Sequence, residues 1–537
     1  MFQSSVPVTA EAFHNRAVEM GKLTAAIGRL EAGAPTWMAV IGPRKVGKTS
    51  LVLEAVRRGA SDTLAVVALN VQEDAPPSPG VFRLYALRVV DALFGRDLGE
   101  SLERLAREPA DYRRRLQDVP GFAALPASLR ADILDLADAA PDAARVAAWL
   151  QLPETLAAAL QRRMIVVLDE FQELAALATH GRGFDPFPLM RSVWQTHTHV
   201  AYIVSGSARS MLLTLLTEQR SPFFQHFGIL ELGAFARDEA VSLLQRQSPP
   251  ECPIGAEVAG RAVDLMGGHP FYLQMLGEAL TAHRRAPDMD DLKAAVQELV
   301  FSRLGRLGLY FENNFNQLVG RAASLAAALN ALADGPSRLT DIAARIGAPS
   351  GAAVRYIERL GDSIRRRDDG LYELADPVFA LWLRWRQPGG TVVPMSLVGD
   401  EAEKAVASAL AAMGFDLVYQ SRASRGSFDL LGLRGATQLG IQVKRSTLPI
   451  RFGRTLWSRM EADAARLGWA WVVASVDRDG VVAILDPIKA RRGREVRLGE
   501  AAIIENLLTW LDRPVAATRR RFPGTRRPGT TAGRAKR

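Results

Sequence analysis

Residues 38–52 read MAVIGPRKVGKTSLV, an apolar run that enters Gly42-Pro43-Arg44-Lys45-Val46-Gly47-Lys48-Thr49 and continues from Ser50 in a helical pattern. The spacing of Gly42, Gly47, Lys48 and Thr49 predicts a strand, a phosphate-binding loop and a helix in succession. Glycine lets backbone N–H groups turn inward and approach phosphate, and the helix N-terminus adds partial positive charge. Lys48 is placed to reach the β- and γ-phosphates, and the Thr49 hydroxyl to hold Mg²⁺. The expected ligand is a nucleoside triphosphate contacted along Gly42 to Ser50.

A second apolar run, Met164 to Leu168, ends in Asp169 and Glu170. Asp169 is expected in the Mg²⁺ shell, and Glu170, one residue on, is expected to polarise the attacking water. Leu64 to Val71 reads as another buried strand, lying between these two in sequence. Val200 to Ser205 makes a fourth and Gly228 to Leu232 a fifth, giving an α/β fold with a parallel sheet and helices on both faces. Ser205, at a strand end, is the candidate sensor of the γ-phosphate. Residues 76–161 read as an inserted helical subdomain.

The phrases GPRKVGKTSL, VVLDEFQEL, IVSGSARSM, GGHPFYL and LADPVFALWLRW occur in this order. Together they resemble the archaeal-type ATPases of the STAND/AAA+ P-loop superfamily over about residues 10–390. The resemblance implies ATP as ligand, Mg²⁺ as cofactor, and ATP hydrolysis. It implies a core at 1–235, a helical lid at 236–318 and a winged helix at 319–390. Gly268-His269-Pro270 is similar to the Gly-x-Pro of the lid, so His269 and Pro270 are expected near the nucleotide. Where many members carry a Gly-Arg pair, this chain has Phe224-Gln225-His226-Phe227. An arginine finger there is unsupported, and Arg191 and Arg209 remain as guesses.

Within 319–390, Ser324 to Ala333 has helical spacing, Thr340 is expected to cap a second helix and Ser350 a third, with Val354, Ile357 and Leu360 inward. Ile364 to Leu374 reads as a hairpin turned at Asp369-Gly370. Arg355, Arg359 and Arg365 to Arg367 are the candidates to meet DNA, although packing as part of the lid is the favoured role.

A new domain is expected after Gln387-Pro388-Gly389-Gly390, over residues 396–512. Ala402 to Met413 has helical spacing and stops at Gly414, with Glu403 flanking its apolar stripe. Strands follow at Asp416 to Gln420, Ser427 to Leu433 and Gln438 to Arg445, then a helix at Ser458 to Leu467 and a strand at Ala470 to Ser475. Alternation puts Gln442 and Lys444 on one face of the third strand. Phosphodiester hydrolysis asks for oxygen ligands on Mg²⁺ and a lysine beside the attacking water. Asp429, Gln442 and Glu403 are the candidate metal ligands and Lys444 the candidate catalytic cation. This layout resembles the PD-(D/E)XK restriction-endonuclease-like fold, in its Mrr-like branch with Gln-x-Lys.

The 537 residues include 67 basic and 58 acidic ones, a net charge of +9. Nine of the basic residues lie in 513–537 with no acid, so the rest of the chain is formally neutral. That tail, rich in Pro, Gly and Thr, is expected to be disordered and to suit phosphate-backbone contact. Cys252 is the sole cysteine, which excludes an intrachain disulfide. No apolar run approaches a membrane span, and a cytoplasmic location is expected. His197 and His199 read as a surface pair. The whole implies an ATPase with an endonuclease-like domain, with DNA as partner and a homo-oligomer as a further candidate. The alternatives are an ATP-gated DNA-binding switch with an inactive nuclease fold, and a protein-remodelling ATPase without nucleic acid.

Overall fold

Strand β1 (Trp37–Ile41) is buried at every position, as an apolar run covered on both faces requires. With β2 (Leu64–Asn70), β3 (Arg163–Asp169), β4 (Val200–Gly206) and β5 (Phe227–Glu231) it forms a sheet of order β2-β3-β4-β1-β5. Every pairing in it is parallel. Met38 and Val40 pack with Leu23 and Ile27 of the helix Ala17–Glu31 and with Leu51 and Ala55 of the helix Lys48–Arg58. Trp37, Ala39 and Ile41 face the other way, into the core that holds Val166, Tyr202 and the inserted helices. There Trp194 stacks on Tyr202 at 3.7 Å.

The structure is a computed structural model that describes residues 2–73, 78–99, 101–179, 184–302, 304–333, 335–385, 401–415, 417–420, 428–434 and 437–512. It divides into two units, residues 1–392 and 393–537. The start of the expected insertion at Pro76, the linker Gln387 to Gly390, the strand starts Asp416 and Ser427, and the tail 513–537 lie outside the described residues.

Leu64 to Val71, the strand read between the P-loop strand and the acid strand in sequence, forms β2 with Ala65, Val67 and Leu69 buried; in space it lies at the sheet edge, with Ala68 exposed. The strand standing between β1 and β3 in space is β4. An apolar run of small residues such as LAVVALN does not by itself distinguish a central from an edge position.

Helices Gly80–Leu98 and Ala143–Ala159 are the longest of the insertion and pack on the Trp37 side. After the sheet come helices Arg237–Gln247, Ala256–Met266, Pro270–Thr281, Met289–Val296 and Arg306–Val319. Three more, Ala323–Ala333, Leu339–Ile346 and Ser350–Leu360, precede an antiparallel pair, β6 (Ile364–Arg366) and β7 (Tyr372–Leu374). Two expected caps are displaced. Arg338 and Pro349 hold the N-cap positions, so Thr340 and Ser350 fall inside their helices. Leu360 is buried as expected, together with Ala353, while Val354 and Ile357 are only half-buried.

In the second unit β8 (Leu417–Gln420), β9 (Leu430–Arg434), β10 (Thr437–Arg445), β12 (Ala470–Val476) and β13 (Val482–Leu485) form a mixed sheet of order β13-β12-β10-β9-β8. Only β10 and β12 pair in parallel. The helix Glu401–Ala412 covers one face through Ala402, Val406 and Leu410 against Ile441 and Val472. The helix Arg454–Leu467 covers the other through Trp457 and Met460 against Val473. A strand absent from the sequence reading, β11 (Ile450–Phe452), joins β14 (Arg491–Arg492) and β15 (Val496–Leu498) in a small sheet of order β11-β15-β14.

Candidate functional site

The P-loop leaves β1 where the backbone is crowded. A Cβ on Gly42 would lie 2.4 Å from the Leu232 carbonyl oxygen. Gly47 sits at φ +97°, in the left-handed region that glycine adopts without strain. The helix Lys48–Arg58 starts on the next residue. Lys48 is buried, and its Nζ donates to the carbonyls of Gly42 and Pro43, each at 3.0 Å. Burial pulls its pKa below the usual lysine value, against the opposing pull of Glu170 and Asp169.

Asp169, at the end of β3, is engaged on both oxygens. Thr49 Oγ1 donates to Oδ2 at 2.8 Å, and Ser205 Oγ donates to Oδ1 at 2.6 Å. The hydroxyl and carboxylate expected on Mg²⁺ thus touch, with the β4 serine on the far oxygen. Glu170 follows at φ +52°. Its Oε2 accepts from Gln172 Nε2 at 2.7 Å, from Ser207 N at 3.0 Å and from Ser207 Oγ at 2.9 Å. Gly206 makes room for this, since a Cβ there would lie 2.0 Å from Gln172 Oε1.

A cavity of about 450 Å³ opens beside these groups, lined by Arg44 to Ser50, Asp169 and Glu170, by Pro270 and Phe271, and by Gln3 to Val8. The N-terminal segment is a site element that the sequence reading missed. Val8 N donates to Ser50 Oγ at 3.0 Å, Ala10 N to Glu54 at 2.8 Å, and Gln3 N to Gln274 Oε1 at 2.8 Å. It therefore ties the P-loop helix to the helix Pro270–Thr281. Of the loop residues, Arg44 bonds Gln72 at 3.1 Å, Lys45 lies over the Phe271 ring at 5.2 Å, and Val46 is buried in the core. Pro270 lines the cavity, whereas His269 caps the same helix from behind and stacks on Tyr272 at 4.1 Å. Burial pushes the His269 pKa down to about 4.

The two guessed arginines are already engaged. Arg209 pairs with Glu231 at 2.8 Å, and Arg191 Nε donates to His226 Nε2 at 3.3 Å. Of the histidine pair, His199 bonds Glu154 at 2.8 Å near the surface, but His197 is a core residue. Its Nδ1 lies 2.7 Å from the Tyr202 hydroxyl, and burial pushes its pKa down to about 4. The helix Ala143–Ala159 reaches both rings, His197 through Gln151 at 3.3 Å and His199 through Glu154. Arg365 pairs with Glu373, Arg367 lies 3.2 Å from Asp369, and Arg366 rests 5.8 Å from the Tyr372 ring centroid.

In the second unit Asp429 stands just before β9 rather than within it, its N–H bonded to the Ile441 carbonyl at 2.9 Å. Gln442 Nε2 donates to Asp429 Oδ2, and Val443 N donates to the same oxygen at 2.7 Å. Gln442 pairs in register with Val473 and Lys444 with Ser475, so both face the helix Arg454–Leu467. Lys444 Nζ lies 5.6 Å from the Phe452 ring centroid. Glu403 is half-buried on the helix Glu401–Ala412, which covers the opposite face. Asp429 and Gln442 are thus brought together, with Lys444 two residues along the strand and Glu403 on the other side. Among the described residues, no group of three or more His, Cys, Asp or Glu side chains is gathered for a metal ion. One carboxylate and one amide still suit Mg²⁺, which keeps several waters and takes its remaining ligands from phosphate. Nor is any helix among the described residues long and apolar enough to cross a membrane.

Residues 13–181 match the family model of the AAA ATPase domain, and residues 117–311 match that of Novel STAND NTPase 2. The parallel five-stranded sheet and its phosphate-binding loop are those typical of a P-loop NTPase. No curated protein matches it. Among solved structures, a Walker-type ATPase of Pyrococcus abyssi is similar at 19% identity and TM-score 0.49, over 71% of this chain and 99% of that one. The ORC2 protein of Aeropyrum pernix is similar at 14% identity and TM-score 0.45, over 71% and 95%. A Holliday junction resolvase of Archaeoglobus fulgidus is similar at 19% identity and TM-score 0.18, over 19% and 88%. Each of the three counts as a likeness alone.

Proposed function

We propose that the chain binds ATP with Mg²⁺, hydrolyses it, and uses that cycle to govern a metal-dependent DNA endonuclease carried by residues 396–512. For the nucleotide half, the supporting observation is the convergence of Thr49, Asp169 and Ser205 beside Glu170. Thr49 and Asp169 would hold the Mg²⁺ of the bound nucleotide, which neutralises phosphate charge as the terminal bond breaks. Lys48 exchanges its two carbonyl partners for phosphate oxygens. Glu170 orients water and takes its proton, Ser205 reads the γ-phosphate, and Pro270, whose helix His269 caps, brings the lid to the nucleotide.

For the second unit, the observation that carries the reading is the contact of Gln442 with Asp429 on the strand of Lys444. Asp429 and the Gln442 side-chain oxygen would hold the cation, whereas Glu403, on the helix across the sheet, stands apart from the pair and is not placed to join them. Lys444 offsets charge developing on the phosphate and steadies the attacking water. DNA is the partner of this unit and of the tail at 513–537. Cleavage of mixed DNA substrates by the purified chain with Mg²⁺ or Mn²⁺ tests this. Activity lost in Lys444→Ala supports the enzyme, and activity that survives the substitution removes Lys444 from it.

One observation favours the second reading, an ATP-gated DNA-binding switch. Gln442 and Val443 both donate to one Asp429 oxygen, a pairing that satisfies the carboxylate without a cation. DNA binding that responds to ATP, without cleavage of any substrate, is the outcome that selects it.

A further inference from the structure

The small sheet of the second unit carries a row of like charges. Arg451 on β11 is the register partner of Arg497 on β15, and Arg497 is in turn the partner of Arg491 on β14. Ile450, Phe452, Val496 and Leu498, which flank Arg451 and Arg497 along their strands, are all buried. By the two-residue period of a strand, the arginines therefore share the outward face. Arg451 and Arg497 are 58% and 55% exposed, and Arg491 is exposed as well.

Like charges directly opposite one another on adjacent strands destabilise a sheet. One acid, Glu495, stands near, 3.7 Å from Arg451 and 3.9 Å from Arg497, so the row keeps an excess of positive charge. Packing does not require that arrangement, because the apolar residues of these strands all point inward. An anionic partner gives it a use. Strands about 4.8 Å apart place the three Cα atoms along roughly 10 Å. At about 3.4 Å of helix axis per phosphate of one strand, that length faces roughly three successive phosphates. Guanidinium forks suit phosphate oxygens in geometry as well as in charge. The inward side of β11 carries Phe452, against which Lys444 rests.

We propose that Arg451, Arg497 and Arg491 form a rail for the phosphodiester backbone of DNA. This deepens the reading of the second unit as one that acts on DNA, but it requires binding and not cleavage. The test is equilibrium binding of a labelled duplex by the full chain, by fluorescence anisotropy, between about 50 and 200 mM salt. The variants are Arg451→Gln/Arg491→Gln/Arg497→Gln and the matching triple Arg→Lys. The glutamine variant is expected to flatten the slope of log affinity against log salt by about 2 to 3, at about 0.9 per phosphate contact. The lysine variant, which keeps the charges, is expected to retain most of the slope. The basic tail contributes equally to all three proteins, so the difference isolates the row. Thermal unfolding without DNA is expected to show the glutamine variant at least as stable as the parent, since the facing like charges are gone. An unchanged slope overturns the rail. So does a parent chain that binds anionic vesicles but not the duplex, or a glutamine variant that loses binding only because it unfolds. A chain that binds through the row yet cuts nothing removes the nuclease reading and leaves the rail standing.

Discussion

Weakening the hold on Glu170 should speed ATP turnover. Its Oε2 takes three donors, at 2.7 Å from Gln172 Nε2 and at 3.0 and 2.9 Å from the Ser207 backbone and hydroxyl. A carboxylate oxygen offers two lone pairs, so three donors saturate Oε2 and pin the side chain in this orientation, away from any other. Ser207→Ala removes the hydroxyl donor and leaves the backbone one. A hydrogen bond to a charged group is worth about 1.5–3 kcal/mol net, and at half-buried Ser207 the lower end applies. Since about 1.4 kcal/mol is a factor of ten, the released state of Glu170 gains up to about tenfold in population. The assay is steady-state phosphate release at saturating ATP, with Ser207→Thr retaining the hydroxyl and Glu170→Gln as the inactive reference. Turnover is expected to rise several-fold in Ser207→Ala and to stay near the parent in Ser207→Thr. A fall in Ser207→Ala, with ATP affinity unchanged, would refute the reasoning by showing that these bonds aim Glu170 at its water.

Three residues further on, Ser210 N donates to both Asp362 oxygens, at 3.1 and 3.0 Å, which ties the start of the helix Arg209–Thr217 to the three-helix segment. Asp362→Ala removes that cap, costs about 1 kcal/mol of stability, and is expected to raise turnover in the same direction; thermal unfolding and phosphate release check the two parts. Acid stability should follow His197, which is 5% exposed with a pKa pushed from 6.5 down to about 4. Below pH 6.5 the unfolded chain gains the proton first, so the stability it contributes is whole above that pH and is lost towards pH 4. This amounts to on the order of 3 kcal/mol, and denaturant titrations across the window should show a flatter acid limb in His197→Gln. Gln442→Glu sets a second carboxylate against Asp429, so without a divalent cation the variant is expected to melt below the parent. Mn²⁺ should raise its melting temperature more than the parent's, and equal shifts would argue against cation binding at this pair.

The P-loop and the acid pair were legible because their chemistry is written in contiguous residues. Gly42, Gly47, Lys48 and Thr49 lie within eight residues, and Asp169 and Glu170 end an unbroken apolar strand. What escaped depends on distant parts of the chain. The N-terminal segment reaches Gln274 and Glu278 through its own backbone N–H groups, and no side-chain pattern announces a backbone donor. Ser207 and Gln172 look like ordinary turn residues until Gly206 lets β4 approach the Glu170 turn. His197 reads as surface in a polar stretch, and its burial depends on Tyr202 and on Gln151 of a distant helix. The strands β11, β14 and β15 have two or three residues each, too short for alternation to register. At the caps of the second and third helices of the 319–390 segment, the threonine and serine were the right residue types one or two places too late.

The central claim is that one chain couples ATP to the cutting of DNA, and the most direct test is cleavage with Mg²⁺ in the presence and absence of ATP by the parent, Lys48→Ala and Lys444→Ala. Cleavage is expected to be altered by ATP in the parent, to answer no longer to ATP in Lys48→Ala, and to disappear in Lys444→Ala. Cleavage indifferent to ATP and to Lys48, or no cleavage on any substrate while DNA binding still answers to ATP, would contradict it.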